Sequence, residues 1–169
     1  MLTPHYTAIE YERRFLVTGP LPPLGPAIQI VDRHLTGTRV YLRKATYRDG
    51  AVVRRLCKQY DADESVCAAI AVEELSPHDF VIYEHMEANV ITKRRSFVSV
   101  GGRDVAVDVF AGALTGLVLC EVASVEELDV AGVRAPTWAS TEVTSDPFFV
   151  GGTLAFATPE QLQARLAYS

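Results

Sequence analysis

Apolar and polar residues alternate in short segments along most of the chain, and turn residues such as glycine, proline and aspartate separate these segments. An alternation with a period of two is typical of half-buried β-strands. The pattern therefore predicts an antiparallel β protein with eight main strands and an additional short strand at 139–144. The eight main strands span 9–17, 28–35, 39–46, 51–60, 65–75, 90–100, 103–110 and 117–124.

Two helices are predicted from their start signals. Ser76 begins a segment that resembles a capping box, and Thr158 and Gln161 have the same spacing before a helix that runs to about residue 168. No repeat or interdomain linker interrupts the sequence, so residues 1–169 are predicted to form a single domain. Eight strands with two helices favour a fold that is mainly β (α+β), an antiparallel eight-stranded β-barrel with a few flanking helices.

The composition narrows the class of protein. Of the 169 residues, 49% are hydrophobic and 22% charged, which argues against disorder. The net charge of −5 argues against a nucleic-acid binder that relies on phosphate contacts, although an acidic protein can hold a cationic cleft. Cys57, Cys67 and Cys120 form no CxxC pair, which indicates a reducing compartment and no zinc site. Without a signal-like or membrane-spanning apolar run, we expect a cytoplasmic protein with no nucleic-acid or membrane partner.

Charged residues share one face of several predicted strands, because residues two apart in a strand point to the same side. These groups are Glu10, Glu12 and Arg14; Arg39, Tyr41 and Arg43; Arg54 and Lys58; Lys93 and Arg95; Asp104, Ala106 and Asp108; and Glu121 and Ala123. In one interpretation these faces point to water, which periodicity alone favours. In the other they line a barrel lumen, where carboxylates hold a hard cation and arginines and lysines hold phosphate oxygens.

The segment IEYERRFLV at 9–17 resembles the E-x-E-x-K signature of the CYTH, or triphosphate-tunnel, superfamily. That superfamily includes inorganic triphosphatases, thiamine triphosphatases and class IV adenylate cyclases. Later segments resemble its other motifs in the same order: DRHLTGTRVYLRK, ITKRRSF, VAVDVFAGALTGLVLCEVAS and STEVTSDPFFVGGTLA. The resemblance spans residues 10–155 and favours the lumen interpretation of the charged faces.

The resemblance also implies roles for matching residues. The implied cofactor is Mg²⁺ or Mn²⁺, and the implied partner is a phosphate-containing small-molecule substrate. The metal-site carboxylates would be Glu10, Glu12, Glu121 and Glu142, and the catalytic residues would be Glu12, Asp108 and Glu142. The phosphate-binding cations would be Arg14, Arg39, Arg43, Lys58, Lys93 and Arg95, and the substrate-shaping residues would be Tyr41 and Phe148.

Several positions depart from the family pattern. Arg14 replaces the signature lysine, Tyr41 interrupts the row of Arg39 and Arg43, and Ala123 replaces an acid. Phe148 stands where the family often has arginine. These changes lower the charge of the lumen and enlarge its aromatic surface, which favours a phosphate with an organic group or indicates a decayed site.

Three functions remain open from the sequence. The first is metal-dependent hydrolysis of a polyphosphate or an organic phosphate anhydride. The second is a cyclase or lyase reaction on an organic diphosphate or ATP, and the third is phosphate-ligand binding without turnover. A homodimer is also expected as one way to cover the apolar outer faces of the seventh and eighth strands. His34 is the histidine to examine, because it lies beside the predicted tunnel strands.

Overall fold

The computed structural model of the chain describes residues 8–60 and 67–167. Within these residues eight antiparallel strands form a closed barrel in the order β1-β5-β4-β3-β2-β6-β7-β8, and pairing of β1 with β8 closes it. This confirms the predicted fold class. The strands are β1 (Ala8–Leu16), β2 (Ile28–Leu35), β3 (Val40–Thr46), β4 (Val52–Tyr60), β5 (Cys67–Glu74), β6 (Ala88–Val100), β7 (Arg103–Ala111) and β8 (Val118–Ser124).

The additional strand predicted at 139–144 is wrong. Its only strand-like pairing within the described residues is a single bridge between Phe15 and Glu142. The first half of β1 pairs with β5, so only the end of β1 has a free edge for this segment. There the backbone N–H of Leu16 donates to the carbonyl oxygen of Thr141 at 2.8 Å, and Val143 N–H donates to the Arg14 carbonyl at 2.8 Å.

Four α-helices lie within the described residues: α1 (Pro77–Glu84), α2 (Glu127–Ala131), α3 (Gly151–Leu154) and α4 (Pro159–Leu166). The start of α4 is confirmed as a capping box, since Gln161 N–H donates to Thr158 Oγ1 at 3.2 Å and Thr158 N–H donates to Gln161 Oε1 at 2.8 Å. Helices α2 and α3 were not predicted, because segments of five and four residues are too short to show a helical period. No helix in this part of the chain combines the length and apolar character needed to cross a membrane.

The outer apolar faces of β1, β7 and β8 are covered by the chain itself. Phe15, Val107 and Cys120 are buried there and pack in one cluster with Val130 of α2 and with Trp138. Burial of such side chains stabilises the fold by about 1.5–3 kcal/mol for each large apolar residue. The apolar outer faces of β7 and β8, which led us to expect a homodimer, are therefore covered by residues of the same chain.

Apolar side chains fill one end of the barrel. Leu16 at the end of β1 and Leu119 near the start of β8 pack against Phe149, Leu154 and Leu162 of the C-terminal segment. These five side chains are each 2% exposed or less. The polar part of the lumen consequently lies above an apolar floor that the C-terminal segment supplies.

Candidate functional site

A cavity of about 450 Å³ occupies the barrel lumen. Closure of the barrel turns one face of every strand inward, and β1, β3, β6 and β8 turn their charged faces into the cavity. The lumen interpretation of the sequence pattern is therefore the one that the structure supports. Among the described residues, the charged side chains that line the cavity are Glu10, Glu12, Arg14, Asp32, Arg39, Arg43, Lys93, Arg95 and Glu121.

Arg14 lies between two of the carboxylates. Its Nε donates to Glu121 Oε1 at 3.0 Å, a terminal guanidinium nitrogen donates to Glu12, and Nη1 donates to the Phe149 carbonyl oxygen at 2.9 Å. Burial raises the pKa of Glu12 more than Arg14 lowers it. Burial acts the same way on Glu121, but the guanidinium groups of Arg95 and Arg14 hold its pKa well below the ordinary value. The two carboxylates thus differ in basicity although they share one cation.

Asp108 of β7 holds two further cations, and its side chain is on the inward face of the barrel. It is 0% exposed and accepts hydrogen bonds from Lys93 Nζ at 2.6 Å and from Arg95 Nε at 2.7 Å. Arg95 also donates to Glu121 Oε2 at 2.6 Å. The register causes this arrangement, because Arg95 of β6 lies directly opposite Asp108 of β7. Asp108 shares the inward face of β7 with the cavity-lining Phe110 but is fully buried and does not itself line the cavity, and its catalytic role stays a prediction.

Asp32 is a lumen carboxylate that the sequence analysis missed. It lies opposite Arg43 in the β2–β3 pair and accepts two hydrogen bonds from its guanidinium group, both at 2.7 Å. The signal was present, because the turn at Gly37 predicts this hairpin and Asp32 shares a strand face with His34. Burial opposes ionisation of Asp32, but Arg43 outweighs it and lowers the pKa of the carboxyl group.

We expect Asp32→Asn to destabilise the fold at neutral pH by about 2 kcal/mol, because a charge-assisted pair is lost in a nearly buried position. The carboxyl pKa in the folded state lies below the unfolded value of 3.8, so the stabilisation is present above pH 3.8 and is lost as the pH falls through the lower folded-state pKa. Urea unfolding of both proteins as a function of pH measures this. A stability difference that stays constant down to pH 3 would contradict the account.

His34 and Tyr41 stack on each other in the lumen. Their ring centroids are 5.0 Å apart at an interplanar angle of 22°, and both residues are buried. The Tyr41 hydroxyl hydrogen-bonds Cys57 on the neighbouring strand β4. Burial lowers the pKa of His34, which favours the neutral imidazole. His34 and Tyr41 therefore add an aromatic, uncharged surface next to Arg39 and Arg43.

Lys58 does not line the cavity. Cys57 lies opposite the lumen residue Tyr41, so the inward face of β4 carries Arg55, Cys57 and Gln59, and Lys58 is on the outer face. Lys58 is exposed, with its Nζ 5.0 Å from the centre of the Tyr60 ring. A shift of one residue turns a strand side chain to the opposite face. Gln59, which the sequence analysis did not select, lines the cavity instead.

Glu142 and Phe148 also lie outside the cavity lining. Glu142 bridges to Phe15, whose side chain points outward, and its carboxylate accepts hydrogen bonds from Arg13 Nε at 2.9 Å and Thr144 Oγ1 at 2.8 Å. Phe148 packs edge-on against Phe149, with ring centroids 5.2 Å apart. Phe149 is the residue of this pair that lines the cavity.

The remaining carboxylates can be compared with the needs of a divalent cation. Mg²⁺ is usually held by one or two carboxylates together with phosphate and water oxygens. Glu10, Glu12 and Glu121 supply such oxygens. Among the residues that the structure describes, no group of three acid, histidine or cysteine side chains is arranged to hold a metal ion by itself. The donor set fits a cation that shares its coordination with phosphate, and does not fit one held by protein atoms alone.

The closed antiparallel barrel, with cations and carboxylates facing one lumen, matches the tunnel-like fold that the sequence resemblance predicts. The crystal structure of the inorganic triphosphatase NE1496 is similar to this chain at 26% sequence identity and a TM-score of 0.59, over 94% of this chain and 98% of the neighbour. A second structure, of "the hypothetical protein NE1496", is similar at 26% identity and a TM-score of 0.60, over 89% and 99%. No protein-family model and no curated protein sequence matches the chain. The predicted resemblance to the CYTH superfamily is confirmed by these neighbours.

Proposed function

We propose that this chain is a metal-dependent hydrolase that cleaves a phosphate anhydride held in the barrel lumen. The observation that carries the proposal is the presence of both cations and carboxylates in one cavity. A metal–polyphosphate needs both, since cations bind phosphate oxygens and carboxylates bind the metal. The similarity to an inorganic triphosphatase supports the same class of reaction. The cations are Arg14, Arg39, Arg43, Lys93 and Arg95.

Lys93 and Arg95 are the residues best placed to hold phosphate. Asp108 hydrogen-bonds both side chains, so they lose little conformational freedom when a ligand binds. Because Nε and Nη2 of Arg95 already bond Asp108 and Glu121, Nη1 is the nitrogen that Arg95 would offer to phosphate, whereas Lys93 acts as a compact charge. Together they offset the negative charge that develops on the transferred phosphoryl group.

Glu10, Glu12 and Glu121 would hold Mg²⁺ or Mn²⁺ together with the phosphate chain. When bound, the cation would polarise the phosphoryl group and lower the pKa of a coordinated water. Glu12 would accept a proton from the attacking water at a carboxylate oxygen.

We also propose that this activity belongs in the cytoplasm. In the described part of the chain Cys57 and Cys120 are free thiols, and both are buried. Reduced cysteines are typical of that compartment.

One contact favours a second candidate function, the binding of a phosphate ligand without turnover. Arg14 bonds both Glu12 and Glu121, and a cation can reach these two carboxylates only if Arg14 gives up part of this network. If Arg14 keeps its contacts, its guanidinium group supplies a fixed positive charge there. A phosphate ligand would then bind without the metal that hydrolysis needs.

Phosphate release separates the two functions. The substrates are tripolyphosphate, ATP, thiamine triphosphate and a prenyl diphosphate, each with Mg²⁺, with Mn²⁺ and with a chelator. We expect metal-dependent release from at least one substrate, and a loss of about 100-fold in Glu12→Gln. Glu73→Gln, an exposed residue of β5, is the matched control and should leave the rate unchanged. Binding of these ligands without any release would reject hydrolysis and support the second candidate.

A further inference from the structure

His34 is a lumen residue that no protein group holds by a hydrogen bond. Its side chain lines the cavity, and the residue is 8% exposed. It makes no hydrogen bond with any residue in the described part of the chain. In that part, the enclosed side-chain nitrogen without a partner is Arg33 Nε, so the ring nitrogens of His34 are open to the cavity. Because nearly buried polar groups are usually paired, these nitrogens are available for a ligand.

The surroundings of His34 are mixed in charge. The charged and titratable groups that face it are Asp32 from its own strand, Tyr41 and Arg43 from β3, and Lys93 from β6. Arg39 of β3 and the neutral Gln59 of β4 line the same cavity. Gly151 of α3 adds no charge and lies against the ring, with its Cβ position 3.6 Å from Cε1 of His34.

Two of the cations beside His34 already have carboxylate partners. Arg43 donates two hydrogen bonds of 2.7 Å to Asp32, and Lys93 donates one of 2.6 Å to Asp108. A phosphate group beside His34 therefore meets charges that are partly offset. A protonated His34 would add a positive charge with two N–H donors, and the stacked Tyr41 ring would stabilise that charge.

The protonation state of His34 depends on what the lumen contains. In the protein alone, burial together with Arg43 and Lys93 lowers the pKa of His34 more than Asp32 raises it, so the imidazole is neutral at pH 7. A phosphate chain brings negative charge, which acts in the opposite direction and favours the imidazolium form. Ligand binding and protonation are therefore linked.

We propose that His34 takes up a proton from solvent when a phosphate chain enters the lumen, and then donates a hydrogen bond to that chain as an imidazolium. The proposal rests on the proposed function for the presence of phosphate in the lumen, but not on its hydrolysis. Because the proton and the ligand bind together, affinity for the phosphate chain rises as the pH falls.

Calorimetry with imidotriphosphate and Mg²⁺, a ligand that resists hydrolysis, measures the proton uptake. Titrations at pH 7 in two buffers of different ionisation enthalpy give the number of protons bound with the ligand. We expect the wild type to take up about half a proton or more beyond His34→Asn, which keeps a polar side chain without a titratable group. The variant subtracts protons that the ligand itself gains or loses. Equal uptake by the two proteins would overturn the proposal.

The affinity should show the same linkage. We expect the ratio of wild-type to His34→Asn affinity to increase about tenfold between pH 8 and pH 6, since this range includes the ordinary histidine pKa. His34→Gln provides the test if the asparagine variant does not fold. His78→Asn, at an exposed histidine of α1, is the matched control and should behave as the wild type. A ratio that is constant with pH would also overturn the proposal.

Failure of the proton uptake and failure of hydrolysis give different results. Phosphate release from tripolyphosphate, with equal proton uptake by wild type and His34→Asn, rejects the role of His34 and keeps the hydrolase. Proton uptake that depends on His34, with no phosphate release from any substrate, keeps the role of His34 and rejects the hydrolase. No binding of imidotriphosphate at any pH would reject the role of His34 as well.

Discussion

We expect Arg95→Gln to lower kcat/KM for phosphate release by about 100- to 1,000-fold, the range observed when one fixed donor to a developing negative charge is removed. Arg95 faces the cavity, and its guanidinium group is held by Asp108 and Glu121. A donor fixed in this way needs little reorganisation when charge develops on the phosphoryl group. Glutamine keeps a polar but shorter side chain and removes the charge and the fork. Steady-state kinetics with the best substrate of the phosphate-release panel measures the effect.

The adjacent residue provides the control. Arg94→Gln makes the same chemical change one position away on β6, where the side chain is exposed on the outer face of the barrel. We expect kcat/KM of this variant to lie within about twofold of the wild-type value, since an exposed charge outside the site is nearly neutral for function. Equal losses in the two variants would show that net charge, and not the position of Arg95, determines the rate.

The second large effect is expected for stability. Asp108→Asn should lower the free energy of unfolding by about 3–5 kcal/mol, because it removes the charge that compensates Lys93 and Arg95. Asp108 is 0% exposed, and its carboxylate accepts three hydrogen bonds, of 2.6, 2.7 and 2.6 Å, from these two side chains. Asparagine has nearly the same shape, so the change tests charge and hydrogen bonding rather than packing. Urea unfolding at pH 7 gives the difference.

Asp104→Asn is the matched control for this measurement. Asp104 lies on β7 with Asp108, but it is exposed. We expect a change within about 0.5 kcal/mol, as for most surface substitutions. If Asp104→Asn and Asp108→Asn lower the free energy of unfolding by similar amounts, the hydrogen bonds of Asp108 to Lys93 and Arg95 do not stabilise the fold as their geometry implies.

The strand pattern predicted much of the lumen correctly. In β1, β3, β6 and β8 the charged residues selected at alternate positions line the cavity, although Arg13, Lys44 and Arg94 place charge on the opposite face as well. In β4 the charged residues Arg54, Arg55 and Lys58 occupy both faces, so alternation cannot fix which face points inward. The pairing of Cys57 with Tyr41 decides it, and that pairing depends on the register of the folded sheet.

The sequence pattern could not decide whether the charged strand faces point outward to water or inward to a lumen. Both arrangements have the same period of two. The inward arrangement requires a closed barrel and a cover for its apolar outside, and the cover includes Val130 and Trp138 from a segment with no clear periodicity. The sequence could not predict that Glu142 lies outside the cavity lining for a related reason. A single bridge to Phe15, and not a strand, sets the direction of its side chain.

Asp32 and Phe149 show what the family resemblance left out. Neither residue was assigned a role from the motifs, yet Asp32 holds Arg43 and the Phe149 carbonyl accepts from Arg14. Both contacts join residues that are distant in the sequence or lie on different strands. Recognition of the motifs therefore identified most of the charged residues of the lumen, but not Asp32 or the Phe149 carbonyl group.

A crystal structure with imidotriphosphate and Mn²⁺ tests the central claim most directly, since it locates phosphate and metal at once. The account predicts phosphate oxygens within hydrogen-bond distance of Lys93 and Arg95, and an anomalous Mn²⁺ signal beside Glu12 and Glu121. Phosphate bound outside the lumen, with the contacts from Arg95 to Asp108 and Glu121 unchanged and no ligand beside them, would contradict it.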